Sequence, residues 1–174
     1  MLAVPLCAGY LSATIGHRLD HGSSWWHGAD AESRTDGPRT EVRFAFNPGR
    51  QVTFGATIRN PGPWPVTITS INDDAADQQA FKIARLAVNH ADEGTAVVFD
   101  PAAAAPFRST TVAAGMELPV FVTITMPDVE MASGGGIFFD DLAVDYRVLG
   151  LPRHQRVPMG FRLFVHSANG YIPG

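Results

Sequence analysis

The clearest pattern in the chain is an alternation of apolar and polar side chains within residues 51–71. It runs through two stretches, 51–59 and 66–71, and a period of two places the apolar side chains of each stretch on one face. The sequence Asn-Pro-Gly-Pro at 60–63 interrupts it, because proline lacks an N–H donor and glycine tolerates a positive φ. This segment therefore predicts two antiparallel strands joined by a short turn.

The same alternation recurs along much of the chain after residue 40. It is present in residues 40–46, 116–125, 137–148 and 159–165, and in a weaker form in 81–88. Turn sequences rich in Gly, Pro, Asn and Asp separate these stretches, and no helical period competes with them. The pattern predicts an all-β fold of seven to nine strands, an immunoglobulin-like antiparallel β-sandwich.

Two details refine the prediction near the end of the chain. Within residues 137–148 the apolar positions change parity at Asp140 and Asp141, which predicts a β-bulge or a break there. Residues 151–154 contain Pro and charged residues, and we expect them to turn the chain into a last strand at 159–165.

The first sixteen residues differ from the rest because they are apolar and carry no charged side chain. A helix of that length spans about 24 Å, which is less than the roughly 30 Å of a bilayer's hydrocarbon core. No basic region precedes them, as one does in a signal peptide. We therefore expect residues 1–16 to be a truncated membrane anchor, and the protein to be a single-pass protein of the cell membrane with an extracytoplasmic C-terminal domain.

Residues 17–39 are polar, rich in glycine and without periodicity, which predicts a juxtamembrane linker. The sandwich is then expected to occupy residues 40–174. Trp25 and Trp26 interrupt the polar stretch. Such an indole pair either lies at the membrane interface or packs against the sandwich.

Charge and cysteine content narrow the class of function. The 13 basic and 17 acidic residues give a net charge of -4, without any basic run, so the sequence predicts no nucleic-acid partner. Cys7 is the only cysteine, which excludes an intramolecular disulfide and a zinc site built on cysteines. The domain must therefore be held by packing.

Trp64 lies at the exit of the turn that begins at Asn60. A ring of this size in that place either covers the open end of the core or stands exposed as a contact residue. The first interpretation predicts a buried lid, and the second predicts a binding surface.

Three histidines, His17, His21 and His27, lie within eleven residues. Neutral imidazoles bind copper and zinc, so a metal site is a hypothesis for this segment. Their spacing matches no standard site, and linker histidines without a ligand are common. We expect no organic cofactor.

Patterns that indicate catalysis are absent from the sequence. There is no Gly-x-Ser-x-Gly elbow, and the glycines at 134–136 do not lie between a strand and a helix as in a phosphate-binding loop. We therefore expect a protein that is not an enzyme.

Several turn sequences are similar to those of a known group of proteins. They are the turn and strand at residues 60–68, Gly115-Met116-Glu117 before the strand at 120–124, and residues 146–150 with Arg156-Val157-Pro158. In these the chain resembles uncharacterised membrane-anchored proteins of actinobacteria that carry one extracytoplasmic immunoglobulin-like domain. The resemblance covers roughly residues 40 to 166 and implies a sandwich without a known catalytic or ligand residue.

The sequence as a whole favours a tethered, non-enzymatic domain that makes protein or cell-envelope contacts. Trp25, Trp26 and Trp64 are the candidate contact residues. The alternatives are metal handling through the three histidines, and an accessory subunit of a membrane complex.

Overall fold

The computed structural model describes residues 16–37, 39–72, 81–89, 99–128 and 131–167, which form eleven β-strands. In chain order the strands are β1 (Asp20–His27), β2 (Glu32–Asp36), β3 (Arg39–Ala45), β4 (Gln51–Arg59), β5 (Val66–Asn72), β6 (Lys82–Val88), β7 (Ala105–Pro106), β8 (Thr110–Val112), β9 (Glu117–Thr125), β10 (Gly136–Val148) and β11 (Leu151–His166).

The strands form two sheets. The five-stranded sheet has the order β1-β4-β9-β6-β7, and the six-stranded sheet has the order β2-β3-β11-β10-β5-β8. Strands β3 and β11 run parallel, while the other neighbours are antiparallel. With β1, β4, β9 and β6 in one sheet and β11, β10 and β5 in the other, the order matches the A-B-E-D and G-F-C sheets of an immunoglobulin sandwich. The predicted all-β, two-sheet sandwich is confirmed.

The core lies between the sheets and consists of the alternating apolar positions. Both central strands of the five-stranded sheet show this, with β4 and β9 burying Val52, Phe54, Ala56, Ile58, Leu118, Val120, Val122 and Ile124. Aromatic rings connect the two sheets: Phe54 meets Phe161 edge to face at 6.1 Å. Full burial of one such side chain stabilises the fold by about 1.5–3 kcal/mol.

The predicted linker at residues 17–39 is wrong, because most of these residues form β1 and β2. β1 is the edge strand beside β4, and β2 is the edge strand beside β3. An edge strand is held by backbone hydrogen bonds and keeps most of its side chains partly or fully exposed, so it leaves little alternation in the sequence. These two strands, together with the two-residue β7, account for the difference between eleven strands and the predicted seven to nine.

The hairpin of β10 and β11 has an irregular register. The predicted bulge is confirmed, since the register shifts between Phe139 and Asp141. The predicted turn at residues 151–154 is wrong, because β11 begins at Leu151. The turn consists of Leu149 and Gly150, both with positive φ, as a two-residue hairpin turn requires.

The predicted anchor at residues 1–16 lies outside the described residues, except for Gly16. The described part of the chain contains no helix of the length and hydrophobicity that a membrane span requires.

Candidate contact site

The outer face of the six-stranded sheet carries a row of side chains at one register. Arg43 of β3, Phe164 of β11 and Phe138 of β10 are direct cross-strand neighbours. The two rings stack, with centroids 4.5 Å apart and 13° between their planes. Arg43 lies 5.5 Å from the centroid of Phe164, and Arg162 lies 5.0 Å from that of Phe138. We call these four side chains the Phe138 row.

The two phenylalanines of the row differ in exposure. Phe164 is 1% exposed, whereas Phe138 is 42% exposed. Gly136 makes this arrangement possible, because a Cβ at that position collides with the ring of Phe164. Phe164 therefore lies against the backbone of β10 and supports the ring of Phe138 in a fixed orientation on the surface.

Carboxylates hold the two arginines of the row in place. Arg43 donates two hydrogen bonds to Oε2 of Glu41, at 2.8 and 3.1 Å. Arg162 lies 3.8 Å from Oδ2 of Asp140. Arg43 thus lies between a ring and a hydrogen-bonded carboxylate, whereas Arg162 has a ring and a longer ion pair.

A cleft of about 510 Å³ lies beside the row and shares Arg162 with it. Asp140, the ion-pair partner of Arg162, also lines the cleft. Between the paired positions Phe139–Leu163 and Asp141–Pro158, the single residue Asp140 faces residues 159–162 of β11, so the sheet is interrupted at this point. The side chains and backbone that line the cleft come from four strands and are Asp20, His21, Arg39, Thr40, Asp140, Pro158, Gly160, Phe161 and Arg162.

The outer face of the five-stranded sheet also carries aromatic side chains, but these are covered. Phe121 is 3% exposed and meets Trp26 at 5.6 Å and Phe99 at 5.5 Å, in both cases edge to face. Ala87 and Ala104 complete this cluster. The segment at 99–106 thus packs on the sheet and forms a small second core, which we call the covered cluster.

The two tryptophans of β1 lie on opposite faces of that strand. Trp25 packs on the main core, with its ring 5.5 Å from that of Phe161. Trp26 belongs to the covered cluster. Of the two alternatives drawn from the sequence, the structure shows packing against the sandwich for both rings.

Polar side chains hold the start of the described chain against one end of the sandwich. Gln155 accepts from the N–H of Leu19 at 2.9 Å and donates to its carbonyl at 2.7 Å. Tyr146 donates its hydroxyl proton to the carbonyl of His17 at 3.0 Å. Burial raises the pKa of Tyr146 above its ordinary value of 10.0, so this phenol remains a donor at neutral pH.

Asn60 connects the same segment to the turn that follows β4. Its amide nitrogen donates to the carbonyls of Trp64, Val112 and Ala113. Its amide oxygen must then face His17 and accepts from Nε2 of that residue at 3.0 Å. Asn60 is fully buried, so these bonds fix the turn from the inside.

The interpretation of Trp64 as a core lid is wrong. Its ring is 40% exposed, because Asn60 fills the inside of the turn and holds the backbone of Trp64 rather than its side chain. Of the described residues, Trp64 and Phe138 are the two large hydrophobic side chains that are exposed.

The structure does not bring the three histidines together. His17 is 7% exposed and bonds Asn60, whereas His21 lies in the cleft and His27 stacks on Trp25 near the other end of β1. Among the described residues no group of three or more potential metal ligands is found. The metal hypothesis gains no support from this arrangement.

His154 and Asp145 form an arrangement that resembles part of a catalytic site. Nδ1 of His154 lies 2.8 Å from Oδ1 of Asp145. A hydrolase of this type also needs a serine hydroxyl bonded to the histidine. Ser70 faces Asp145 across β5 and β10, but its hydroxyl donates to Asn72. The pair is therefore an exposed hydrogen-bonded contact at the surface.

Sequence reasoning missed Phe138 and Phe164. Phe164 has the opposite parity to the core residues of β11, and Phe138, which precedes the bulge of β10, has the opposite parity to the buried Phe139. A large apolar side chain at such a position is the signal that indicates them. The cleft has no sequence signal, because its lining comes from four separate segments.

Comparisons with known proteins identify neither a family nor a curated relative, since no family model and no curated protein matches the chain. Among solved structures, the VesB protease of Vibrio cholerae is similar over 79% of this chain, with 11% identity and a TM-score of 0.38. The ASH/PapD-like domain 7 of human CEP192 is similar over 81% of this chain and 87% of its own, with 16% identity and a TM-score of 0.35.

This chain spans 32% of the protease chain. Neither similarity carries a functional conclusion at these TM-scores, and the assignment to a two-sheet sandwich follows from the strand order.

Proposed function

We propose that the chain is a non-enzymatic, extracytoplasmic immunoglobulin-like domain, tethered to a membrane through residues 1–16, that binds another protein. The partner binds through the Phe138 row and the adjoining cleft. The observation that carries the proposal is the exposed ring of Phe138, which stacks on Phe164 and has the guanidinium of Arg162 over it.

The chemistry of the row is that of a protein interface. Aromatic and arginine side chains are enriched at such interfaces and contribute a large share of the binding energy. A ring that is already fixed by stacking loses little conformational freedom when it is covered. Phe138 meets this condition, since it stacks on Phe164, which is buried and packed against Gly136.

The cleft adds a shape that a partner can enter. Arg39 and Arg162 lie in it together with Asp20 and Asp140, so charges of both signs line an opening of about 510 Å³. The Phe138 row and the cleft both carry charged side chains, and such a charge pattern favours one docking geometry over others. If the partner is stably bound and lies in the membrane, the chain is an accessory subunit of a membrane complex.

The test uses the full chain, tagged and extracted with mild detergent from the membranes of its native cell. Wild type, Phe138→Ala and Trp64→Ala are compared by size-exclusion chromatography, and the ratio of co-eluting protein to tagged chain is measured. Trp64 is the matched control because its exposure, 40%, is close to the 42% of Phe138 and it lies at the other end of the sandwich.

We expect Phe138→Ala to lower the partner ratio by about tenfold or more, as for a central interface residue, and Trp64→Ala to leave it unchanged. A ratio that is equal in all three proteins, or the absence of any partner of wild type, contradicts the proposal.

A further inference from the structure

The start of the described chain and Trp64 lie at the same end of the sandwich. The described chain begins at Gly16, and His17 bonds the side chain of Asn60, which in turn bonds the backbone of Trp64. We call this end, formed by residues 16–20, 59–66, 113–117 and 147–153, the entry end.

Within the described chain, the residues between Gly16 and β1 are bonded to the folded domain. Residues 17–19 are held by Asn60, Tyr146 and Gln155, and β1 starts at Asp20. A tether in residues 1–16 therefore keeps the entry end within a few residues of the bilayer surface. With such a tether, these contacts set the orientation of the domain relative to the bilayer.

The exposed apolar groups of the entry end suit the interface of a bilayer. The ring of Trp64 is 40% exposed, and three prolines of the same turn, Pro61, Pro63 and Pro65, are exposed or partly exposed beside it. Indole rings favour the level of the lipid headgroups, where one side is apolar and the other is wet.

The charges of the entry end differ from those of the whole chain. Its described residues include four arginines, Arg18, Arg59, Arg147 and Arg153, and two carboxylates, Asp20 and Glu117. The end is thus positive, although the chain has a net charge of -4. Arginines at such a surface attract anionic lipid headgroups and contribute about fivefold each to the partition.

We propose that the entry end rests on the headgroups of an anionic bilayer, with the ring of Trp64 inserted at the interface, so that the Phe138 row is presented away from the lipid. Ten residues of β10 separate Val148 at the entry end from Phe138, a distance of about 30 Å. This proposal rests on the tether of the proposed function.

The test uses the full chain in vesicles of phosphatidylcholine, with and without phosphatidylglycerol, and with bromine on the shallow carbons of the acyl chains. Trp25→Phe with Trp26→Phe leaves Trp64 as the single tryptophan, which is excited selectively at wavelengths that tyrosine does not absorb. A matched reporter carries the further changes Trp64→Phe and Pro48→Trp, since Pro48 is exposed at the opposite end. Circular dichroism and the thermal midpoint confirm that each variant is folded.

We expect bromine to quench Trp64 and to leave the reporter at position 48 unquenched. Arg18→Gln with Arg59→Gln is expected to reduce the quenching on phosphatidylglycerol vesicles, with a shift of about 25-fold toward the undocked state, from about fivefold for each arginine.

The outcomes separate this proposal from the tether. Flotation of the vesicles in a density gradient measures whether the protein is attached to them. If the protein floats with the vesicles and Trp64 is not quenched, or if both reporters are quenched equally, the orientation proposed here is wrong and the tether stands. If the protein does not float with any vesicle, the tether itself is wrong and both proposals fall.

Discussion

The outer faces of the two sheets both carry phenylalanine, but they differ in how far the aromatic rings are covered. On the five-stranded sheet, Phe121 is 3% exposed beneath Trp26 and Phe99. On the six-stranded sheet, Phe164 is equally buried, but the ring that covers it is Phe138, which is itself 42% exposed. One face is closed by a segment of the chain, and the other ends in an exposed aromatic ring.

The difference shows what each face contributes. The covered cluster removes its apolar surface from water within the chain, so its energy is available for stability. The Phe138 row leaves apolar surface in water, which gains nothing for the isolated domain and becomes favourable only when another molecule covers it. Substitutions on the two faces should therefore divide into those that affect folding and those that affect binding.

The largest effect is expected for Phe121→Ala. The change leaves a cavity beneath Trp26 and Phe99, and truncation of a buried phenylalanine costs about 3–5 kcal/mol. Urea denaturation measures the free energy of unfolding. Phe121→Leu is the control and should retain most of the stability because it fills most of the volume. A loss below about 1 kcal/mol for Phe121→Ala contradicts the covered cluster as a second core.

An intermediate effect is expected for Gly136→Ala on the outer face of the six-stranded sheet, which we call the open face. The added Cβ collides with the ring of Phe164, so the ring or the strand must shift, at a cost of about 1–3 kcal/mol. Gly16→Ala is the control, since a Cβ there meets no atom within 4 Å. Both variants are compared by thermal unfolding. Equal midpoints for the two variants would show that Phe164 is not packed on β10 in this way.

A smaller effect is expected for Phe138→Ala. The ring is partly exposed, so its removal costs mainly the stack with Phe164, about 0.5–1.5 kcal/mol. Phe138→Tyr keeps the stack and serves as the control in the same urea titration. A loss as large as that of Phe121→Ala would mean that the open face is structural, and it would remove the distinction between the two faces.

The architecture could be predicted from the sequence because the strands of the core show a regular alternation of apolar and polar residues. The strands at 51–59, 66–71 and 116–125 have apolar residues on one face, and the parity change at Asp140 reports the bulge directly. β1 and β2 were missed because edge strands depend on the backbone groups of a neighbour. Pairing with β4 and β3 is a property of the fold, and no local pattern contains it.

The candidate site was not predicted for a related reason. The alternation indicates that Phe138 and Phe164 point outward, but only the pairing of β10 with β11 places them opposite each other. Trp64 shows the converse. The sequence leaves open whether its ring covers the core or stands exposed, and the outcome depends on Asn60, whose amide reaches two separate segments of the chain.

The smallest effect is expected for Arg162→Gln, which removes the charge at the edge of the open face. Arg162 stacks on Phe138 and lies 3.8 Å from Asp140, and exposed contacts of both kinds contribute about 1 kcal/mol or less. Arg85→Gln is the matched control, since Arg85 is an exposed arginine beside the covered cluster.

Because salt screens exposed charges, the difference between wild type and Arg162→Gln should shrink from low to high ionic strength in urea titrations, while that for Arg85→Gln should stay near zero throughout. A difference for Arg162→Gln that does not change with salt would mean that its stem packs on Phe138 and that its charge has no part in the row. In that case the open face is held by apolar contact, as the covered face is, and the two faces differ only in exposure.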